Sequence, residues 1–240
     1  MKNELLLIKS NLRKRKGTSI GISLLIFIAS LLVSLCLLLF LDAYPNSERY
    51  AKKLNSGDGY VVAFNDTTGL TDSYIESIIK DDVESYDKLD GLFYTAKSVK
   101  YSNGELSTGI LVANSTAFSS KLNKTEIVVE DNQYSSNYVY LPYQFYTAGG
   151  YHIGDEFIFP IKDRNFNYTV RGFINNTDFG CTNSGPIQLI VDDINYQDMK
   201  NYSDISNVAI IITFQTKDEI SPRKLGMKLN SKITSFNNKT

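Results

Sequence analysis

At 240 residues, 42% apolar and 21% charged, the chain is too rich in apolar side chains for a disordered polymer and long enough for one or two folded domains. Its formal net charge of -1 hides a division: residues 1–16 carry six basic side chains against Glu4, a net of +5, whereas the rest carries 19 basic and 25 acidic residues, a net of -6. With only two cysteines, Cys36 and Cys181, a disulfide-stapled scaffold is excluded.

From Gly17 to Leu41 (GTSIGISLLIFIASLLVSLCLLLFL) no residue is charged. As a helix this segment is about 37 Å long, enough to cross a hydrocarbon core of about 30 Å with some tilt. A cleaved signal fits less well: its apolar region is usually about 7 to 15 residues and a small-x-small site follows, whereas here LDAYPN follows. A buried soluble helix fits less well again, because only Ser and Thr offer polarity on any face. The run RKRK (Arg13, Lys14, Arg15, Lys16) abuts the span and Asp42 follows it, so the positive-inside rule keeps the N-terminus cytoplasmic and puts residues 42–240 outside. That role accounts for the basic run without a nucleic-acid partner. Within the span Ser23, Phe27, Ser30 and Ser34 fall on one helical face and Gly17 to Gly21 has Gly-x3-Gly spacing; either this face packs on another span or the small residues are there by chance. Since Cys36 lies in the span, the outer part has no internal disulfide, which suits a bacterial membrane protein, and Asn-x-Ser/Thr triplets such as that at Asn123 need no glycan to explain them.

Outside the span, a polar link (YPNSERYAKKLNSGDG) leads to a strand at Tyr60 to Phe64. A helix follows, with Ser73 and Glu76 at capping-box spacing and an apolar face of Tyr74, Ile75, Ile78 and Ile79. Two strands, LFYTAKSVKY and STGILVA, are joined by a turn at Asn103-Gly104. Between residues 126 and 174 the strands EIVVE, YVYLP, EFIFPI and YTVRGFI form a β-rich part. Then come a strand PIQLIVD, a short helix INYQDMKNY, and NVAIIITF, a strand apolar enough to be covered on both faces. A last helix begins at Ser221-Pro222, with Leu225, Leu229 and Ile233 on its buried face. Two strand-helix-strand passes around a β insertion make an α+β domain. The expected organisation is a basic N-terminus (1–16), a transmembrane helix (17–41) and an extracytoplasmic domain (42–240), with a β-rich subdomain at about 126–180.

The stretch YTAGGYHIGDEFIF holds three glycines, the only histidine and two adjacent acids. Gly149 and Gly154 have Walker-loop spacing, but Asp155 and Glu156 stand where a lysine and a hydroxyl would meet phosphate. The dinucleotide fingerprint fails because a strand, not a helix, follows. His152 has no Cys or His partner at ligand spacing, so no metal is expected. Cys181 has no neighbouring base, so no nucleophilic catalysis is expected, and a turn remains. The aromatic cluster from Tyr134 to Tyr151 reads as packing on a half-buried sheet.

The order of these features resembles the first part of FtsX/MacB-type ABC transporter permeases. The matching pieces are the basic N-terminus and span, then Leu141-Pro142, Gly154-Asp155, the strand Phe157 to Pro160, and Val170-Arg171-Gly172-Phe173. The resemblance implies a permease with a MacB periplasmic-core-like outer domain, which dimerises with a second copy or paralogue and binds a separate cytoplasmic ABC ATPase. It implies coupling of ATP hydrolysis to movement of the outer domain, acting on lipid, lipoprotein or peptide substrates or on a cell-wall hydrolase, with no catalytic residues and no cofactor on this chain. Such permeases have further spans, so the sequence is expected to be an N-terminal portion. The alternative is a single-span anchored ectodomain for binding or sensing.

Overall fold

In the computed structural model, which describes residues 16–64, 72–180 and 185–237, the uncharged segment lies within one helix, α1 (Lys16–Lys53). It is the one helix among the described residues long and apolar enough to cross a membrane. Its side chains from Ile20 to Leu41 are all exposed, Phe40 at 78%. So continuous an apolar surface is suited to lipid rather than water. The polar link expected after Leu41 is helical instead and runs on to Lys53 with Pro45 inside it. Lys52 and Lys53 sit in the last turn, where cations complement the negative helix end.

Two compact units divide between Tyr50 and Ala51, and the second is built on one mixed sheet. Its strands are β1 (Gly59–Phe64), β2 (Val83–Tyr101), β3 (Gly104–Ala113), β4 (Glu126–Glu130), β5 (Tyr138–Pro142), β6 (Glu156–Ile161), β7 (Arg164–Asn175), β8 (Ile187–Val191) and β9 (Val208–Thr216). The order is β1-β9-β2-β3-β8-β5-β7-β4, with β6 paired to β7. Neighbours are antiparallel except β3 with β8 and β5 with β7. Among the described residues four α-helices accompany the sheet: α2 (Asp72–Ile79), α3 (Tyr143–Thr147), α4 (Asp193–Tyr202) and α5 (Pro222–Asn237). The fold class is therefore α+β as expected, with β1-α2-β2 and β8-α4-β9 as the two passes. Strands β4 to β7 are hydrogen-bonded into the same sheet, because β5 pairs with β8 (Val139 opposite Val191).

Why β9 reads as continuously apolar is now plain. Ile210, Ile212 and Phe214 pack under Ile75 and Ile79 of α2 and Leu225, Leu229 and Ile233 of α5, while Ile211 meets Leu111 and Phe179 on the other face. Farther along the first face the sheet curls around a larger core that includes Phe145, Phe157, Phe159 and Phe173. There β6 returns to β2: the Tyr94 and Phe159 rings lie 5.3 Å apart, and Lys97 Nζ donates to the Pro160 carbonyl at 2.8 Å.

Three boundaries differ from the sequence expectation. β2 begins at Val83, not Leu92, because β9 supplies a ladder partner (Asp87 opposite Thr213) to a stretch whose acids read as loop. The β2–β3 turn is Ser102-Asn103, closed by Tyr101 and Gly104, with Ser102 at φ 53°. Ser73 lies inside α2 rather than capping it, and Glu76 accepts from the Tyr86 hydroxyl at 3.1 Å.

One core group is left unmatched. The Tyr168 hydroxyl is buried and has no hydrogen-bond partner among the described residues. A buried unpaired hydroxyl costs stability, so Tyr168→Phe is expected to leave the fold as stable as before or stabilise it by about 1 kcal/mol, read by chemical unfolding.

Candidate functional site

Of the topology anchor, Arg13, Lys14 and Arg15 lie outside the described residues, and Lys16 begins α1. Ser23, Phe27, Ser30 and Ser34 are exposed on α1. The Ser30 hydroxyl donates to the Phe27 carbonyl at 2.8 Å, which ties its proton to its own helix. Cys36 is exposed, and Cys181 lies outside the described residues.

The histidine stretch is a turn, as its glycines led us to expect. Gly150 and Gly154 adopt φ of 78° and 91°, where only glycine is at ease. The Asp155 carboxylate accepts from the His152 amide at 2.7 Å, and the exposed imidazole Nδ1 stands 3.7 Å from the same oxygen. No group of three or more His, Cys, Asp or Glu side chains suited to a metal occurs among the described residues.

Sequence reasoning missed what this turn builds. Together with the β2–β3 turn it walls an open cleft of about 520 Å³, lined by Lys100, Ser102, Gly150, Asp155, Glu156 and Ile158 among others. The Ser102 amide donates to the Gly149 carbonyl at 2.6 Å, and the Tyr151 hydroxyl to the Lys100 carbonyl at 3.3 Å, fixing one wall against the other. The signal available beforehand was the glycine spacing, but only the β2–β3 pairing shows what lies opposite it.

A second feature lies at the residues that follow α1. Leu54 is buried, its carbonyl accepts from the Lys124 amide at 2.7 Å, and the Asn55 carbonyl accepts from the Asn123 amide at 2.8 Å. The Asn55 side-chain amide returns a bond to the Lys121 carbonyl at 2.8 Å, and Lys53 pairs with Glu126. Beneath this grip is a buried polar node. Asn123 donates to the Asp178 carboxylate at 2.7 Å and accepts from the Thr177 amide at 3.0 Å. Asn176 accepts from the amides of Asp178 and Phe179, each at 3.0 Å, and donates to the Asn123 carbonyl at 3.1 Å and to Thr125 Oγ1 at 3.3 Å. Beside them is a cavity of about 20 Å³, room for one water.

Burial pushes the Asp178 carboxyl up to about 6, the single amide from Asn123 being too little to hold the charge. A carboxyl whose pKa is raised by folding binds its proton more tightly in the folded state. Its contribution therefore favours folding at low pH and is lost as pH rises from about 4 to about 6. The difference in melting temperature between Asp178→Asn and the unsubstituted chain is expected to widen in favour of the amide from pH 4 to pH 7, measured by thermal unfolding. A difference flat across that range would contradict it.

No family model matches the sequence, and no curated protein matches it. Among solved structures the chain is similar to a permease domain from Porphyromonas gingivalis, at 12% identity and a TM-score of 0.35, covering 62% of this chain and spanning only 64% of that one. It is similar to a Bacillus anthracis lipoprotein at 16% identity and a TM-score of 0.37, covering 72% and 91% of the two chains. It is similar as well to the periplasmic region of MacB from Actinobacillus actinomycetemcomitans at 13% and 0.37, covering 75% and 86%. These are likenesses of architecture alone and carry no argument about activity, substrate or partner.

Proposed function

We propose that the chain is the first span and extracytoplasmic domain of an FtsX/MacB-type ABC permease, working with a second permease copy or paralogue and a separate cytoplasmic ATPase. In this reading Arg13 to Lys16 hold the N-terminus inside, α1 crosses the membrane, and the sheet domain is moved outside, acting on a lipid, lipoprotein or peptide substrate or a wall hydrolase without catalysing a reaction itself. The observation that carries it is the uncharged span lying within one helix, continuous in sequence with a sheet domain whose own first residues, Lys53 to Asn55, are bonded to the rest of that domain. The order of Leu141-Pro142, Gly154-Asp155 and Val170 to Phe173 along the chain supports the same reading.

The test is purification of the full-length membrane protein in mild detergent. A P-loop ATPase is expected to co-purify, and protease added to whole cells is expected to cleave after Ala51 but spare the N-terminus. Cleavage confined to the cytoplasmic side, or a preparation with no ATPase partner, would sink the proposal.

A further inference from the structure

The cleft between β2 and β6 has a property that its side chains alone do not show. In a two-residue hairpin the closing pair is hydrogen-bonded, and residues alternate from there between pointing their main-chain groups at the partner strand and away from it. Tyr101 and Gly104 close the β2–β3 turn, so in β2 the groups of Ser98 and Lys100 point away from β3. Ile161 and Arg164 close the β6–β7 turn, so in β6 those of Glu156, Ile158 and Pro160 point away from β7. β9 pairs with β2 no farther than Leu92, and β6 pairs with β7 alone. Two strand edges without a ladder partner therefore border this cleft, and of the two the β6 edge is the open one, since the outward Lys100 carbonyl of β2 already accepts from the Tyr151 hydroxyl. Lys97 Nζ bridges the two strands at the Pro160 carbonyl, and Lys100 and Glu156 line the cleft.

We infer that this edge binds an extended peptide segment of a partner protein, added as a strand alongside β6. A ligand that matches a strand edge must offer amides and carbonyls at the strand repeat, which an extended polypeptide does. Proline at position 160 fits the same geometry, because its missing N–H falls on the unpaired side and stops pairing from running on toward the Lys162 turn. Glu156 and Ile158 are two residues apart on the outer face, both exposed, Ile158 at 44%, with the Asp155 carboxylate beside them. On the β6 wall charge complementarity thus selects a segment with a lysine or arginine opposite Glu156 and an apolar residue two positions away opposite Ile158, with Lys100 standing on the other wall. Peptide capture here needs no ATPase, so this inference and the permease reading fail separately.

The probe is the terminally blocked pentapeptide Thr-Lys-Thr-Val-Thr carrying a fluorophore, titrated by anisotropy against the full-length protein in nanodiscs. Binding is expected, and N-methylation of alternate peptide residues is expected to weaken it at least about tenfold in at least one of the two possible phases. Ile158→Pro removes an outward amide together with the exposed Ile158 side chain and is expected to weaken binding at least as much, with an unchanged melting curve. Should that variant not fold, Glu156→Lys serves instead: it is expected to turn the preference toward the peptide with glutamate in place of lysine. No binding at about 1 mM, both N-methylated forms binding as tightly as the unmethylated peptide, or an unaltered charge preference in Glu156→Lys would overturn the inference. Self-association through this edge without peptide binding would assign it to a second copy and overturn it equally.

Discussion

Replacing Asn176 by leucine is expected to destabilise the sheet domain by about 3 to 5 kcal/mol. The side chain is 8% exposed, and all four of its bonds go to groups at the same node. Leucine would leave the amides of Asp178 and Phe179 without their acceptor and would set an apolar group against the Asn123 carbonyl, each orphaned group costing about 1 to 3 kcal/mol. Asn176→Asp keeps the acceptor for both amides but loses the donor, and adds a charge near Asp178. It is expected to fall between the two and to be worse at pH 7 than at pH 5, since burial already keeps Asp178 reluctant to ionise. Chemical unfolding of the full-length protein in detergent, followed by circular dichroism, measures both. Asn123→Leu provides the partner for a double-mutant cycle: both side chains hold the same segment, Asn123 through the Thr177 amide and the Asp178 carboxylate and Asn176 through the amides of Asp178 and Phe179, so their costs should be non-additive by about 1 kcal/mol or more. Additive costs would mean that the asparagines act independently.

This node also shows where a single sequence stops being readable. The span, the β9 strand and the apolar helix faces were legible because burial imposes a period or a continuous apolar run on neighbouring residues. The helix after β8 is expected from the sequence, but its start is not: Asp192 reads as the end of the strand, whereas its carboxylate accepts from the Asn195 amide at 3.0 Å and caps α4. Asn123 and Asn176 look like ordinary loop asparagines, because the bonds that join the two into one node span fifty or more residues; only the bonds of Asn176 to the amides of Asp178 and Phe179 are local. The cleft failed to show for a related reason. Its glycines were read correctly as a turn, but a pair of unpaired strand edges is a property of the topology, of where β9 stops and what β6 lacks, and local residue types do not encode it. The length of β2 was missed because Glu84, Asp87, Lys88 and Asp90 resemble a loop until β9 is known to lie beside them.

The second large effect is expected from Phe214→Ala, at about 3 to 5 kcal/mol. Phe214 is 1% exposed and stands at the centre of the cluster that joins α2 and α5 to β9. Its ring fits because glycines surround it. A Cβ added at Gly59 would come within 3.1 Å of the ring, and one at Gly226 of α5 would lie 3.9 Å away. The ring thus occupies space that the neighbouring chain leaves vacant, and removing it opens a cavity that the backbones of β1 and α5 cannot close without moving. The same contacts predict the compensation. Gly59→Ala alone should destabilise, because the added methyl meets the ring at less than ordinary van der Waals distance. In the Phe214→Ala background that methyl enters the cavity, so its cost should shrink or change sign. A coupling of about 1 kcal/mol or more between the two substitutions, measured by unfolding of all four proteins, is the expected result. If Gly59→Ala costs the same in both backgrounds, the ring does not fill this space in solution, and α5 packs on the sheet in some other way.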